Sequence, residues 1–380
     1  MALRIVADAL QPLAAEGFAD VGEVTVLPPA AITREALRDA DALVCRSTVK
    51  VTPGLLEGTA VRFVGTCTIG FDHVDREWLA SRGIAFASAP GCNANSVGEW
   101  FVAAMLTWAV EKGVSLAGKT LGVVGAGHVG KIVAARAAAL RMRVLVNDPP
   151  RARAEGGAGF VALPELLAAS DFVTVHVPLT REGPDATVGL AGAGFFAAMR
   201  PGAVFLNASR GAVVDESALQ AALASGRLAG AMLDVFANEP RPDPGLLQKL
   251  FLATPHVAGY SFDGKVNGAR QVHAALCRHF GLAAEWKPQV VMPELAVSEI
   301  VVESDAAFEV ELLDGVSAVY DVRRDHRALL AAPAAFARLR AEYPPRYEFF
   351  HTVVVAPYHR RDLREGFAGI GFARAEWDKG

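Results

Sequence analysis

Short apolar runs recur through the first 280 residues and alternate with stretches of helical spacing. In the first hundred residues the strand candidates are Arg4 to Ala7, Glu23 to Leu27, Ala42 to Cys45, Phe63 to Gly65 and Ala85 to Ser88. Helix candidates are Leu10 to Gly17, Arg34 to Arg38 and Trp78 to Arg82. Such alternation predicts a parallel sheet with helices on its faces, and ligand groups at the carboxyl ends of its strands. A turn-rich stretch, Pro90-Gly91-Cys92-Asn93-Ala94-Asn95-Ser96, then leads into a long apolar helix, Val97 to Val110, which Ser96 is placed to cap. From Gly118 to His256 the alternation resumes with Leu121 to Val124, Val144 to Val146, Phe172 to His176, Ala203 to Asn207, Gly230 to Asp234 and Phe251 to Ala253. Six strands with helices between them make a doubly wound sheet. A helix after Ser261, Asn267 to Phe280, returns to the first domain, so the second is expected to be inserted in a split first domain.

Beyond about Glu285 the pattern changes to a strand-like segment, Gln289 to Val302, then helical material, Ala306 to Tyr320. A helix around Pro333 to Glu342, a strand Glu348 to Val355 and a helix Arg360 to Phe367 complete a small third α/β module. The expected domains are therefore 1–95 with 257–285, then 96–256, then 286–380. The fold class is α/β: a Rossmann domain inserted in a split flavodoxin-like domain, followed by a small C-terminal α/β domain.

One turn sharpens this picture. Gly125-Ala126-Gly127-His128-Val129-Gly130 follows a strand and opens an Ala-rich helix, Lys131 to Leu140. In a dinucleotide fingerprint the first glycine permits the tight turn. The second lets backbone approach the pyrophosphate, and the third lets helix and strand pack closely. Asp148, 18 positions beyond Gly130, stands where an acid meets the adenosine ribose hydroxyls. An acid there repels a 2′-phosphate, which favours NAD over NADP.

Composition narrows the alternatives. The 380 residues are too many for one ordinary core. They are 52% hydrophobic and 21% charged, as suits a globular α/β protein rather than a disordered one. A net charge of −4 gives no reason to expect a nucleic-acid partner. No apolar run is long enough to span a membrane, and the start meets Asp8 too early for a signal peptide. Cys45, Cys67, Cys92 and Cys277 lack metal-type spacing and fit free, buried thiols in a reducing cytoplasm. No metal is expected.

The candidate chemistry sits at strand ends: Asn207-Ala208-Ser209-Arg210-Gly211, Asp234 to Pro240, and Thr254 to Tyr260. Arginine, glutamate and histidine together suit oxidation of an alcohol beside a carboxylate. The histidine accepts the hydroxyl proton, the glutamate orients its ring, and the arginine grips the carboxylate through paired hydrogen bonds. Each residue alone has an ordinary explanation as a surface cation, loop acid or turn histidine; the conjunction beside a nucleotide site carries the argument. In the first domain, Arg46-Ser47-Thr48-Val49-Lys50 offers two cations and two hydroxyls past a strand, either an anion cradle or a solvated loop.

These motifs resemble the D-isomer-specific 2-hydroxyacid dehydrogenases over roughly residues 1 to 285. The resemblance implies that Arg210 binds and polarises substrate, that Glu239 pairs with His256, and that His256 is the acid/base. It implies NAD contacts at Gly125, Gly127, His128, Val129, Gly130, Asp148, Val177, Ala208, Ser209 and Gly259, with His176-Val177-Pro178 on the adenine side and Asp234 on the nicotinamide carboxamide. Finer features resemble the branch that oxidises 4-phospho-D-erythronate in pyridoxal 5′-phosphate biosynthesis. They are Val44-Cys45-Arg46-Ser47, Asp72-His73-Val74-Asp75, Ala89 to Ala94, Asn147 to Pro150, Ala258-Gly259-Tyr260 and Tyr320 to Asp325. That branch implies a homodimer through the C-terminal domain and substrate contacts at Arg46, Ser47, Thr68 and Tyr260. Lys50 is a further phosphate candidate, and Arg346 a contribution from a partner's tail. Val177 departs from the threonine often found there, which leaves only backbone contact with the cofactor. Two rivals stay open: a related dehydrogenase for another hydroxy acid, such as 3-phosphoglycerate, and an NAD-sensing corepressor on the same scaffold.

Overall fold

The structure, a computed structural model, describes residues 2–286, 295–303 and 305–374. The chain forms two compact units, one from Met1–Ala94 with Tyr260–Pro293, the other from Asn95–Gly259 with Glu294–Gly380.

The first unit is a five-stranded parallel sheet of β1 (Leu3–Asp8), β2 (Gly22–Leu27), β3 (Ala42–Cys45), β4 (Phe63–Thr66) and β5 (Ala85–Ala87), in the order β2-β1-β3-β4-β5. This is the flavodoxin-like order, whose switch point falls between β1 and β3. The central β3 and β4 are buried throughout, as near-continuous apolar runs in a two-faced sheet should be. Helix Phe262–Phe280 packs on one face through Ala269, Val272 and Leu276. It begins earlier than its periodicity suggests because the Ser261 hydroxyl caps it, accepting from the Gly264 N–H at 2.8 Å. The first helix is the reverse case. Leu10 to Gly17 is not one helix; the helix spans Ala14–Phe18, because Leu13 takes a left-handed conformation (φ 57°) right after Pro12. That leaves Leu10 and Gln11 in a turn over Asp8.

The second unit holds a six-stranded parallel sheet: β6 (Thr120–Val124), β7 (Arg143–Asn147), β8 (Phe172–Val175), β9 (Ala203–Asn207), β10 (Leu228–Leu233) and β11 (Leu252–Ala253). Their order is β11-β10-β9-β8-β6-β7. The switch point lies between β6 and β8, so the glycine turn and His176 leave adjacent strand ends. A small parallel sheet of β12 (Glu299–Val301), β13 (Val353–Val355) and β14 (Ala373–Arg374) follows. Of the strand-like run Gln289 to Val302, residues 289–294 lie outside the described residues, and only Glu299–Val301 pairs. Helix Val322–Ala331, capped by Asp321, was not anticipated from the sequence pattern.

The C-terminal segment shares its core with the six-stranded sheet. Leu312, Val316, Phe349 and Phe367 join Phe101, Leu106, Val133 and Leu140 in one buried cluster. Polar groups tie the same region. Arg346 donates from Nη1 to Glu99 Oε2 at 2.6 Å, both side chains being almost fully buried. Glu99 also accepts from the Phe349 N–H at 2.7 Å, and the Ser96 hydroxyl donates to Glu348 at 2.7 Å. Arg346, a candidate in the sequence for a contribution to a partner's site, is buried against Glu99 within its own unit. Its guanidinium stacks 4.2 Å from the Tyr320 ring centre, and Glu99 holds it there. Among the described residues no helix is long and apolar enough to cross a membrane. The four cysteines are all free and buried, and burial pushes the Cys45 thiol up to about 12.

Candidate active site

The glycine turn has the geometry its spacing implies. Gly125 has φ +91°, and a Cβ there would lie 2.5 Å from the His176 carbonyl oxygen. A Cβ on Gly130 would collide with the Gly125 carbonyl, so helix His128–Ala139 can approach its strand only without one. At Gly127 a Cβ would meet no protein atom within 4 Å, which leaves an open backbone face at the helix N-terminus. Asp148 closes the turn from the neighbouring strand end. Its Oδ2 accepts the Ala126 N–H at 2.8 Å, and its Oδ1 caps the next helix at Arg151 N–H. The His176 ring donates or accepts at Nε2 with Thr174 Oγ1 (2.9 Å), while Nδ1 is buried with no hydrogen-bond partner. Burial pushes its pKa down to about 4, so the ring is neutral at pH 7.

At the ends of β9, β10 and β11 three turns interlock. Asn207 organises the first: its Oδ1 accepts from the Ser209 N–H and hydroxyl, and its Nδ2 donates to the Arg210 carbonyl at 2.9 Å. Gly211 lies so close to the Phe236 backbone that any side chain would collide with it. The Arg210 turn is thereby pressed against the Phe236–Glu239 loop. Asp234, buried at the end of β10, holds the third turn: it accepts from the Thr254 hydroxyl (2.6 Å), Val257 N–H (2.8 Å) and Ala258 N–H (3.0 Å). Burial pushes its carboxyl up to about 8, against those three donors. His256, between those anchors, has φ +58°, a left-handed conformation that a histidine adopts only where its surroundings impose it.

The ring so presented donates from Nδ1 to Glu239 Oε2 at 2.6 Å. That contact fixes the tautomer and leaves Nε2 as a lone-pair acceptor without a partner among the described residues. Burial holds His256 below the ordinary histidine pKa; Glu239 opposes this, while Arg340 and Arg210 reinforce it. Burial works to raise the Glu239 pKa, yet the His256 contact, the Phe236 N–H (2.9 Å) and Arg340 keep it below the usual carboxylate range. The result is a neutral imidazole beside an ionised carboxylate, the resting state of a general base.

The model of the D-isomer specific 2-hydroxyacid dehydrogenase NAD binding domain matches residues 96–258. The chain is 43% identical to the erythronate-4-phosphate dehydrogenase of Chromohalobacter salexigens, over 97% of this chain and 98% of that one. It is 45% identical to the enzyme of the same name from Azotobacter vinelandii, over 91% and 93%. The chain belongs to the D-isomer-specific 2-hydroxyacid dehydrogenase family, in its erythronate-4-phosphate dehydrogenase branch. Among solved structures, the NAD+-bound 3-phosphoglycerate dehydrogenase of Entamoeba histolytica shares the fold at a TM-score of 0.64, with 23% identity over 77% of this chain and all of that one. As in the family, the cofactor is NAD, and the residues present fit it: an open glycine face at a helix N-terminus, an acid at the second strand end, and an unpartnered buried histidine nitrogen beside the turn.

The first unit gathers the other residues expected to meet substrate. Arg46 follows β3 at the switch point and is buried; its Nη1 donates to Gln11 Oε1 at 3.1 Å, and its N–H donates to Asp8 at 3.2 Å. Ser47 is half-buried and Lys50 exposed on the same loop. Thr68 Oγ1 donates to the Gly70 carbonyl at 2.8 Å, and Thr66 Oγ1 lies 2.8 Å from it and 3.0 Å from His73 Nε2. Tyr260 opens the return segment, with the Lys265 ammonium 5.0 Å from its ring centre.

Two residues at these clusters were missed in the sequence. Arg340, on helix Phe336–Ala341, reaches Glu239 Oε2 at 4.0 Å, the oxygen that His256 uses. Lys265 stands in the Arg46 neighbourhood. Both are cations on helices, a pattern that sequence alone reads as a solvated face.

Proposed function

We propose that this chain oxidises 4-phospho-D-erythronate to (R)-3-hydroxy-2-oxo-4-phosphooxybutanoate with NAD, in pyridoxal 5′-phosphate biosynthesis. The reading rests on the His256–Glu239 pair at 2.6 Å beside Arg210, within a family branch whose relatives carry that activity in their names. NAD, when bound, accepts the hydride from C2. The chain's own residues do the rest. His256 Nε2 takes the C2 hydroxyl proton, and Glu239 stabilises the imidazolium that forms. Arg210 grips the carboxylate and polarises the developing carbonyl through paired N–H donors. Asp234 positions the His256 turn and offers its end to the nicotinamide amide; Ala208, Ser209, Val177 and Gly259 line the cofactor. Arg46, Ser47, Thr68 and Tyr260 receive the remainder of the substrate.

On this reading residues 286–380 form a dimerisation domain. Exposed apolar side chains there, Val301, Phe350 and Tyr358, suit contact with a second copy. A cytoplasmic enzyme also fits four free thiols. The test is NADH formation with 4-phospho-D-erythronate beside 3-phosphoglycerate, together with light scattering for the mass in solution. Preference for the second substrate would replace the substrate assignment. No turnover of either, with NADH-dependent capture of a protein partner, would replace the enzyme by a sensor.

A further inference from the structure

Two cations in the first unit have side chains that form no salt bridge among the described residues. Arg46 is 8% exposed, and its guanidinium donates to the neutral Gln11 amide oxygen. Lys265 lies in the first turns of helix Phe262–Phe280, where the helix dipole disfavours a cation. Its ammonium rests over the Tyr260 ring, and its carbonyl accepts from Gln11 Nε2 at 2.8 Å. Gln11 thus joins the Arg46 side chain to the Lys265 backbone. Among the described residues neither cation forms an ion pair. The nearby Asp8 carboxylate is turned to other donors: the Leu10 N–H, the Arg46 N–H and the Thr48 hydroxyl. Burial, helped by Arg46, pushes the Lys265 pKa down to about 8. Arg46 is buried and Lys265 half-buried, and their like charges oppose one another, which is unfavourable unless an anion joins them.

We propose that Lys265 is a specificity-determining residue that, with Arg46, grips the phosphate of the substrate. This rests on the substrate assignment above for the identity of the ligand, and on the two cations without a salt bridge for its chemistry. A dianionic phosphate accepts from Lys265 Nζ and from the fork of Arg46 at once, which a neutral hydroxymethyl group cannot do. The sequence alone pointed to Lys50, which is exposed on the same loop as Arg46.

The experiment compares the intact enzyme with Lys265→Met and Lys265→Arg. Loss of a charged hydrogen bond should lower the ratio of kcat/KM for 4-phospho-D-erythronate over D-erythronate by about 10- to 100-fold in K265M, mostly through KM. K265R should recover most of the ratio. Inorganic phosphate, titrated by calorimetry into the NADH-loaded proteins, should bind wild type at least about tenfold tighter than K265M. An unchanged ratio with unchanged phosphate affinity overturns the role of Lys265 while leaving the substrate assignment standing. So does an equal fall on both substrates, which marks a structural residue. Wild type that binds phosphate through Lys265 but turns over no 4-phospho-D-erythronate overturns the substrate assignment and keeps the anion site.

Discussion

The five-stranded sheet and the six-stranded sheet share a strand order over their first five strands, yet their switch points are built from opposite materials. Between β6 and β8 the polar groups are backbone N–H donors on a glycine turn, with a neutral histidine alongside. Between β1 and β3 they are side chains, Asp8, Gln11 and Arg46, and Gln11 also donates to the Lys265 carbonyl of a distant helix. Backbone donors at a helix end suit a pyrophosphate whose position must be fixed by shape. Buried side-chain cations suit a compact anion selected by charge. One topology thus carries two different sets of polar groups at its switch point, set by which residues occupy the strand ends.

Four changes test how separate these two ends are. The largest effect is expected from His256→Ala, which removes the general base and should cut kcat by roughly 10²–10⁴-fold. Phosphate affinity measured by calorimetry should hold in that variant; a parallel loss would mean the two clusters are not independent. Next, Gly130→Ala places a methyl against the Gly125 carbonyl and should weaken NADH binding by about 100-fold, read by fluorescence titration. Normal NADH affinity there would remove the glycine turn from the cofactor site.

The third concerns pH. His176 has a folded pKa of about 4 against an ordinary 6.5, so between these values the unfolded chain binds more protons. Its contribution to stability is present above pH 6.5 and is lost as pH falls towards 4. The loss should be on the order of 2 kcal/mol, after discounting for partial exposure, and should disappear from the pH dependence of melting in His176→Gln. The smallest effect belongs to Arg340→Met. Arg340 lowers the pKa of both His256 and Glu239, with Asp234, Glu216 and Arg210 as the other charges nearby. Its removal should move the acid limb of the kcat/KM profile up by about half a unit, and Arg340→Lys should restore it. An unmoved limb would show that the C-terminal segment does not tune the base.

The same contrast explains what the sequence disclosed. The glycine turn is local: Gly125 to Asp148 carry their meaning in their spacing, and all six strands around them were expected. Arg210, Glu239 and His256 stood out in the sequence because each lies in the turn that follows a strand of that sheet. The other switch point combines positions 8, 11, 46, 260 and 265, which no periodicity connects. Lys265 and Arg340 sit on helices where a lone cation ordinarily faces water. The first helix was overextended because Pro12 and the left-handed Leu13 interrupt a pattern that composition alone continues.

The Glu99–Arg346 pair has a consequence in time. The two residues are 247 positions apart. A ribosome adding about 5–20 residues per second delivers the arginine roughly 12–50 s after the glutamate. Burial pushes the Glu99 carboxyl up to about 8 even with the arginine beside it, so during that interval the helix that carries it packs with the carboxyl in its neutral form. The ion pair that ties the C-terminal segment to the cofactor-binding unit therefore forms only after about nine-tenths of the chain has been translated.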